Sequence, residues 1–163
     1  MTVHVVVMGV AGCGKSAVGA LLARELGLPF IEGDSFHPAG NVAKMRQGLP
    51  LTDADRAGWL ARLGGELRAH PEGAVLTCSA LKRAYRDTLR AAAPGLRFVY
   101  LQVTPEEAAV RVAARSGHFY PASLVDSQFE ALQEPQGEEG VCMVGAGLPV
   151  EEVARAAARA LVD

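Results

Sequence analysis

The chain of 163 residues has few cysteines, almost no net charge and no long apolar run. Its three cysteines, Cys13, Cys78 and Cys142, are far apart and odd in number, which predicts neither a disulfide framework nor a zinc site and favours the reducing cytoplasm. A formal net charge of −2 provides no basic field that would draw the protein onto nucleic acid or anionic membranes. No apolar run approaches the roughly 18 residues of a membrane span, and the first strand lacks the basic flank of a signal peptide. We therefore expect neither nucleic acid nor a membrane as a partner.

Short apolar runs alternate along the sequence with segments of helical spacing, and there is no internal repeat or linker. This alternation is typical of an α/β fold built around a parallel sheet. Strands are predicted over residues 3–8, 29–31, 73–78, 97–103 and 141–144. Capping boxes that begin at Thr52 and Thr104 predict two of the helix starts. We expect a single domain over residues 1–163, with three α/β/α layers around a five-stranded parallel sheet.

The clearest motif is a phosphate loop (P-loop) between the first strand and the first helix. It consists of Gly9, Val10, Ala11, Gly12, Cys13, Gly14, Lys15 and Ser16. Glycines let successive backbone N–H groups turn inward around phosphate oxygens, and the following helix adds its positive N-terminal end. Lys15 has the reach to contact the β- and γ-phosphates, and the Ser16 hydroxyl is a ligand for Mg²⁺. Because an apolar strand precedes the motif and an amphipathic helix follows it, we expect ATP binding rather than a chance glycine-rich turn. The predicted fold is therefore that of a P-loop NTPase.

The P-loop alone does not distinguish GTP switches, motor ATPases and kinases. A switch should carry an Asp-x-x-Gly motif directly after a strand and an Asn-Lys-x-Asp motif, and the sequence has neither in place. The strands that end near Cys78 and Val103 lack the terminal acid that is typical of motors. The remaining candidate is Asp34, after the second strand, because the carboxyl ends of neighbouring parallel strands meet at the nucleotide site. An aspartate there can accept a proton from an attacking hydroxyl or help to hold Mg²⁺, although a turn or helix-cap role fits the sequence equally well.

More specific segments follow the P-loop, and they extend over nearly the whole chain. They are residues 33–38 (Gly-Asp-Ser-Phe-His-Pro), 41–45 (Asn-Val-Ala-Lys-Met), 53–60, 78–82 (Cys-Ser-Ala-Leu-Lys), 85–87, 111–119 and 127–135. In these segments the chain resembles gluconate kinases (gluconokinases), a family of P-loop small-molecule kinases. The resemblance implies transfer of the ATP γ-phosphate to the 6-hydroxyl of D-gluconate, which feeds the pentose phosphate or Entner–Doudoroff route. It also implies a fold like that of shikimate and adenylate kinases, a mobile lid at about residues 111–125 and often a homodimer.

Gluconate is a polyol with a carboxylate, so its pocket needs cations and hydrogen-bonding groups. The basic residues that could supply them are His37, Lys44, Arg46, Arg56, Lys82 and Arg86. Arg56 is the favoured carboxylate ligand, because a planar guanidinium binds bidentately, and Lys82 is the second contact. With the resemblance, His37 and His118 are further candidates for substrate binding. Each of these side chains could instead be solvated at the surface.

Arg111 and Arg115 lie one helical turn apart, before a segment rich in Gly and Pro that suits a lid. Both are candidate ATP ligands, because arginines that close over the transferring phosphate neutralise its charge and exclude water. The alternative is that they are exposed and pair with Glu106 and Glu107. We expect Lys15, Asp34 and Arg115 to be catalytic, and Ser16 and Asp34 to hold Mg²⁺.

Two other functions stay open on the sequence. One is a kinase for another small polyol or acid, such as shikimate, although Cys78-Ser79-Ala80-Leu81 lacks the glycine doublet that would favour shikimate kinase. The other is a nucleotide-binding regulatory domain that has lost catalysis. The joint presence of Lys15, Ser16, Asp34 and Arg115 argues against it.

Overall fold

A computed structural model describes residues 2–114 and 124–162 of the chain. In chain order, the elements are β1 (Val3–Met8), α1 (Lys15–Leu26), β2 (Phe30–Glu32), α2 (Ala39–Arg46), α3 (Asp53–Arg68), β3 (Gly73–Thr77), α4 (Arg83–Ala92), β4 (Arg97–Gln102), α5 (Pro105–Ala114), α6 (Val125–Ala131), β5 (Val141–Gly145) and α7 (Val150–Val162). A 3₁₀ turn, Gly33–Phe36, follows β2 directly. Among these described helices, none combines the length and the apolar character that a membrane crossing requires.

The five strands form one parallel sheet in the order β2-β3-β1-β4-β5. The central strand β1 contributes Val5, Val6, Val7 and Met8, which are all fully buried. This continuous apolar run reflects the cover on both faces of the sheet, where the core divides into two clusters. Helices α1, α5 and α7 supply apolar residues to one cluster, and α3 and α4 supply them to the other. The predicted three-layer α/β/α fold is therefore confirmed.

The local signals in the sequence locate most elements to within one or two residues. Thr52 caps α3 as predicted, since its hydroxyl accepts from the Asp55 N–H and the Asp55 carboxylate accepts from the Thr52 N–H. Helix α2 is not predicted, because no side chain caps its N-terminus and it has no clear apolar stripe. It is held instead by distant contacts, in which Lys44 Nζ lies 2.6 Å from Asp55 Oδ2 and Asn41 Nδ2 donates to the Asp55 carbonyl at 3.0 Å.

The register of three strands determines where the loops leave the sheet. In the parallel ladder, Thr77 of β3 is paired with Val7 of β1 on one side and with Glu32 of β2 on the other. The P-loop follows β1 and Asp34 follows β2, so both emerge from the same edge as the segment after β3. This edge is where ligands bind in open parallel sheets.

A buried ion pair supports the segment after β3. The Arg86 side chain is fully buried and contacts both carboxylate oxygens of Glu138, at 2.6 and 3.0 Å. It also donates to the carbonyl of Ala80 at 2.7 Å, where the backbone adopts a left-handed φ of 47°. Arg86 is therefore a structural residue, and the interpretation of it as a cation of the substrate pocket is wrong.

Removal of the Arg86 side chain should destabilise the protein strongly. Arg86→Ala leaves the Glu138 carboxylate buried without its main partner, and we expect a loss of about 3–5 kcal/mol in the free energy of unfolding. Urea denaturation measures this loss. The matched control is Arg83→Ala, because Arg83 is exposed on the same helix and its distance to Asp87 is 3.9 Å. Equal losses for the two variants would contradict the structural role of Arg86.

The same ion pair predicts a dependence of stability on pH. Hydrogen bonds from Arg86, and then from Arg90, lower the pKa of the Glu138 carboxyl from 4.5 to about 2. Because the folded-state pKa is the lower one, this contribution is complete above pH 4.5 and is lost as the pH falls toward 2. The stability gap between the wild type and Glu138→Gln, measured by urea denaturation, should therefore narrow over this interval. A difference in unfolding free energy that stays constant between pH 4.5 and pH 2 would contradict the account. The control is Glu139→Gln, because Glu139 is an exposed neighbour of Glu138.

Candidate active site

A cleft of about 310 Å³ opens at the carboxyl ends of β1, β2 and β3. The predicted site residues that line it are Ala11, Gly12, Gly14, Lys15, Ser16, Asp34, His37, Arg56 and Lys82. Gly9, Val10 and Cys13 complete the P-loop as buried residues behind this lining. Arg115 and His118 lie outside the described residues. The structure thus brings the predicted phosphate, acid and substrate residues to one cleft.

The P-loop has a shape suited to phosphate. Helix α1 begins at Lys15, so the N–H groups of its first turn have no partner within the helix and face the loop. Gly12 has a φ of 86°, and a Cβ there would lie 2.7 Å from the Ala108 carbonyl oxygen, so the loop requires glycine at this position. Lys15 Nζ donates to the carbonyls of Gly9 and Val10, at 3.1 and 3.2 Å. The loop therefore holds its lysine close to the phosphate site.

Arg111 contacts the P-loop from α5. Its guanidinium donates to the carbonyls of Gly12 at 3.2 Å and Cys13 at 3.4 Å, and to that of Ala146 at 2.6 Å. The alternative, an ion pair with Glu107, is not what the structure shows, since the Glu107 carboxylate accepts from the Thr104 N–H in a capping box. Arg111 thus places a positive charge directly beside the P-loop backbone, and its contact with ATP stays a prediction.

Asp34 lies beside a buried histidine at the mouth of the cleft. The Asp34 side chain is 52% exposed, and its Oδ1 lies 3.7 Å from Nε2 of His37. The His37 ring stacks on Trp59 with centroids 4.0 Å apart, and its Nδ1 accepts from Asn41. Burial, and then the charge of Arg56, lower the pKa of His37 against the opposing effect of Asp34. His37 is therefore neutral at pH 7, and it leaves the Asp34 charge available.

A cation cluster, formed by Asp53, Arg56, Lys82 and Tyr85, also lines the cleft. Arg56 is 8% exposed, and its Nη1 donates to the Tyr85 hydroxyl at 3.2 Å. That hydroxyl donates to Asp53 Oδ1, which also lies 3.0 Å from Lys82 Nζ. The hydrogen bond from Tyr85, and then that from Lys82, hold the pKa of Asp53 below its ordinary value. With two cations, one carboxylate and a phenol, this cluster suits an anionic ligand that carries hydroxyl groups.

Several residues of the site are not predicted from the sequence, and three of them make side-chain hydrogen bonds there. Asp53 and Tyr85 belong to the cation cluster, and Gln128 accepts the Ala11 N–H at 2.8 Å, which fixes the P-loop from α6. All three lie in the segments that resemble gluconate kinases, and this resemblance is the signal in the sequence that could have identified them.

Two basic residues that the sequence offered for the pocket, Lys44 and Arg46, do not line it. Lys44 pairs with Asp55, and Arg46 is the last residue of α2.

Comparison with known proteins identifies the family. The AAA domain family matches residues 5–135. A gluconokinase from Gluconobacter oxydans (strain 621H) is 51% identical over 142 residues, which are 85% of this chain and 80% of that protein. A crystal structure of a gluconokinase from Sinorhizobium meliloti 1021 is 48% identical, with a TM-score of 0.92 over 99% of this chain and 92% of that one. Shikimate kinase from Aquifex aeolicus, at 20% identity and a TM-score of 0.65 over 98% of this chain and 96% of its own, shares the fold. The chain therefore belongs to the AAA domain family and to the gluconokinases.

Proposed function

We propose that the protein transfers the γ-phosphate of ATP to the 6-hydroxyl of D-gluconate, giving 6-phospho-D-gluconate and ADP. The observation that carries this proposal is the lining of one cleft by the P-loop, Asp34 and the cluster around Arg56 and Lys82. The proteins named gluconokinase that are similar to this chain supply the identity of the substrate. The comparisons give no support to shikimate as the acceptor, because shikimate kinase matches this chain in its fold alone.

The P-loop side of the cleft would bind the nucleotide. N–H groups at the start of α1 and the Lys15 ammonium would surround phosphate oxygens, where fixed donors stabilise charge that develops during transfer. Arg111 adds positive charge behind the loop. Arg115 would complete the charge at the lid, as the sequence predicts.

The residues present fit a magnesium ion carried by the nucleotide. Mg²⁺ prefers oxygen ligands and keeps several waters, so one or two protein oxygens are sufficient. The Ser16 hydroxyl and the exposed Asp34 carboxylate both line the cleft and would provide them. No group of three metal-binding side chains occurs within residues 2–114 and 124–162, which agrees with an ion held mainly by phosphate and water. Bound there, Mg²⁺ would neutralise the phosphate charge.

The acceptor would span the cleft from the cation cluster to Asp34. Arg56 and Lys82 would bind the gluconate carboxylate, and His37 with His118 would contact its hydroxyl groups. This orientation directs the far end of the sugar acid, with its 6-hydroxyl, toward Asp34. The Asp34 carboxylate would accept a hydrogen bond from that hydroxyl and take its proton as the new P–O bond forms.

We also propose a cytoplasmic homodimer. The free thiols of Cys13, Cys78 and Cys142 support a reducing location, and the family resemblance supports the dimer. Light scattering on the purified chain measures its mass in solution and so tests whether it is a dimer.

A panel of acceptors tests the substrate. In an assay that couples ADP release to NADH oxidation, we expect turnover with D-gluconate that far exceeds turnover with shikimate, other sugar acids or nucleotides. Lys15→Ala should lower kcat by at least about a hundredfold, because the lysine stabilises the transferring phosphoryl group. Turnover of shikimate or a nucleotide with none of gluconate would contradict the proposal.

Substitution of Arg56 tests the orientation of the substrate. A hydrogen bond to a charged group contributes about 1.5–3 kcal/mol, so Arg56→Ala should raise KM for gluconate by about 10- to 100-fold. KM for ATP should stay within about twofold, since Arg56 is on the acceptor side of the cleft. The control is Arg68→Ala, at an exposed arginine in the last turn of the same helix. A KM for gluconate that does not change in Arg56→Ala would show that the carboxylate binds elsewhere.

A further inference from the structure

Both backbone polar groups of Gly33, the residue immediately before Asp34, are hydrogen-bonded to buried side chains. The N–H of Gly33 donates to Thr77 Oγ1 at 3.0 Å, and the Gly33 carbonyl accepts from Trp59 Nε1 at 2.9 Å. A Cβ on Gly33 would lie 1.8 Å from the Thr77 carbonyl oxygen, so no other residue fits this position. Two hydrogen bonds and one close steric contact therefore fix the backbone that leads into Asp34.

Thr77 connects this backbone to the nucleotide side of the molecule. It is 1% exposed at the end of β3, between Val7, which precedes the P-loop, and Glu32, which precedes the Gly33 turn. Its hydroxyl accepts from Gly33 and donates to Glu32 Oε1 at 2.6 Å, so both of its hydrogen-bonding functions are used. Its methyl group packs against α1, where a Cβ on Gly19 would lie 3.0 Å from Thr77 Cγ2.

The Asp34 side chain has no comparable support of its own. Within the described residues, its carboxylate accepts no hydrogen bond, and the nearest charged or titratable partner is His37, at 3.7 Å. The position of the carboxylate thus follows from the position of the backbone. In a reaction that depends on alignment, a displacement of about 1 Å costs on the order of a hundredfold in rate.

We propose that Thr77, together with Trp59, is a positioning residue that sets the Asp34 carboxylate relative to the P-loop. Thr77 acts through the Gly33 peptide, while its methyl group keeps the turn in register with α1. This inference rests on the proposed function, in which Asp34 meets the acceptor hydroxyl. It assigns a role in catalysis to a buried hydroxyl that does not line the cleft.

The test compares substitutions that separate the hydroxyl from the methyl group. Thr77→Val keeps the shape but leaves the Gly33 N–H without its acceptor, and we expect kcat to fall by about 10- to 100-fold. KM for ATP should stay within about twofold, because the P-loop keeps its own contacts. Thr77→Ser restores the hydroxyl and should recover kcat to within about threefold of the wild type. Trp59→Phe, which removes the donor to the Gly33 carbonyl and keeps an aromatic ring against His37, should also lower kcat.

Two further variants make each outcome decisive. Thr88→Val is the matched control, since Thr88 is exposed on α4 and its hydroxyl donates to the carbonyl of Ala84 in its own helix. The kcat of this variant should be unchanged. Asp34→Asn separates the proposal from the function on which it rests. If Asp34→Asn is inactive and Thr77→Val keeps the wild-type kcat, the positioning role is overturned. A Thr77→Val variant whose KM for ATP rises as much as kcat falls would also overturn it, and an active Asp34→Asn would overturn the role of Asp34 itself.

Discussion

The ladder of hydrogen bonds that joins β1, β3 and β2 brings the parts of the active site together. Because all three strands are parallel, the P-loop, the Gly33 turn and the segment after β3 leave the sheet at one edge. Thr77 lies at the point where the two ladders meet, and it bonds to the turn that carries Asp34. A shift of β3 by one residue would reverse its side chains and separate the acid from the phosphate site.

Some charged side chains around the cleft are paired with an opposite charge, and others are left without a charged partner among the described residues. Asp53 offsets Lys82, and the neutral His37 leaves the Asp34 carboxylate free of a cationic partner among the described residues. The buried pair of Arg86 and Glu138 is satisfied internally and stays behind the cleft. Arg56 lies in one part of the cleft, and Lys15 with the N-terminus of α1 lies in the other. One end of the cleft is thus suited to a carboxylate and the other to phosphates.

Features that depend on neighbouring residues in the sequence could be predicted, and features that depend on tertiary contacts could not. The P-loop, the five strands and the Thr52 capping box are local patterns, and the structure contains all of them. Helix α2 was missed because it depends on contacts with Asp55, far along the chain. The same limit explains the error at Arg86, since no spacing shows that an arginine on a helix will meet Glu138 fifty-two residues later. Asp53 likewise belongs to the site because α3 packs against α4, which brings its carboxylate to Tyr85 and Lys82. No local pattern in the sequence shows this contact.

A crystal structure of the complex with gluconate and a non-hydrolysable ATP analogue tests the central claim most directly. The quantity to measure is the distance from the Asp34 carboxylate to the 6-hydroxyl oxygen of gluconate. The account predicts a hydrogen bond of about 2.6–3.2 Å, with the gluconate carboxylate at Arg56. Gluconate bound in the reverse orientation, with its carboxylate toward Asp34, or bound outside the cleft, would contradict it.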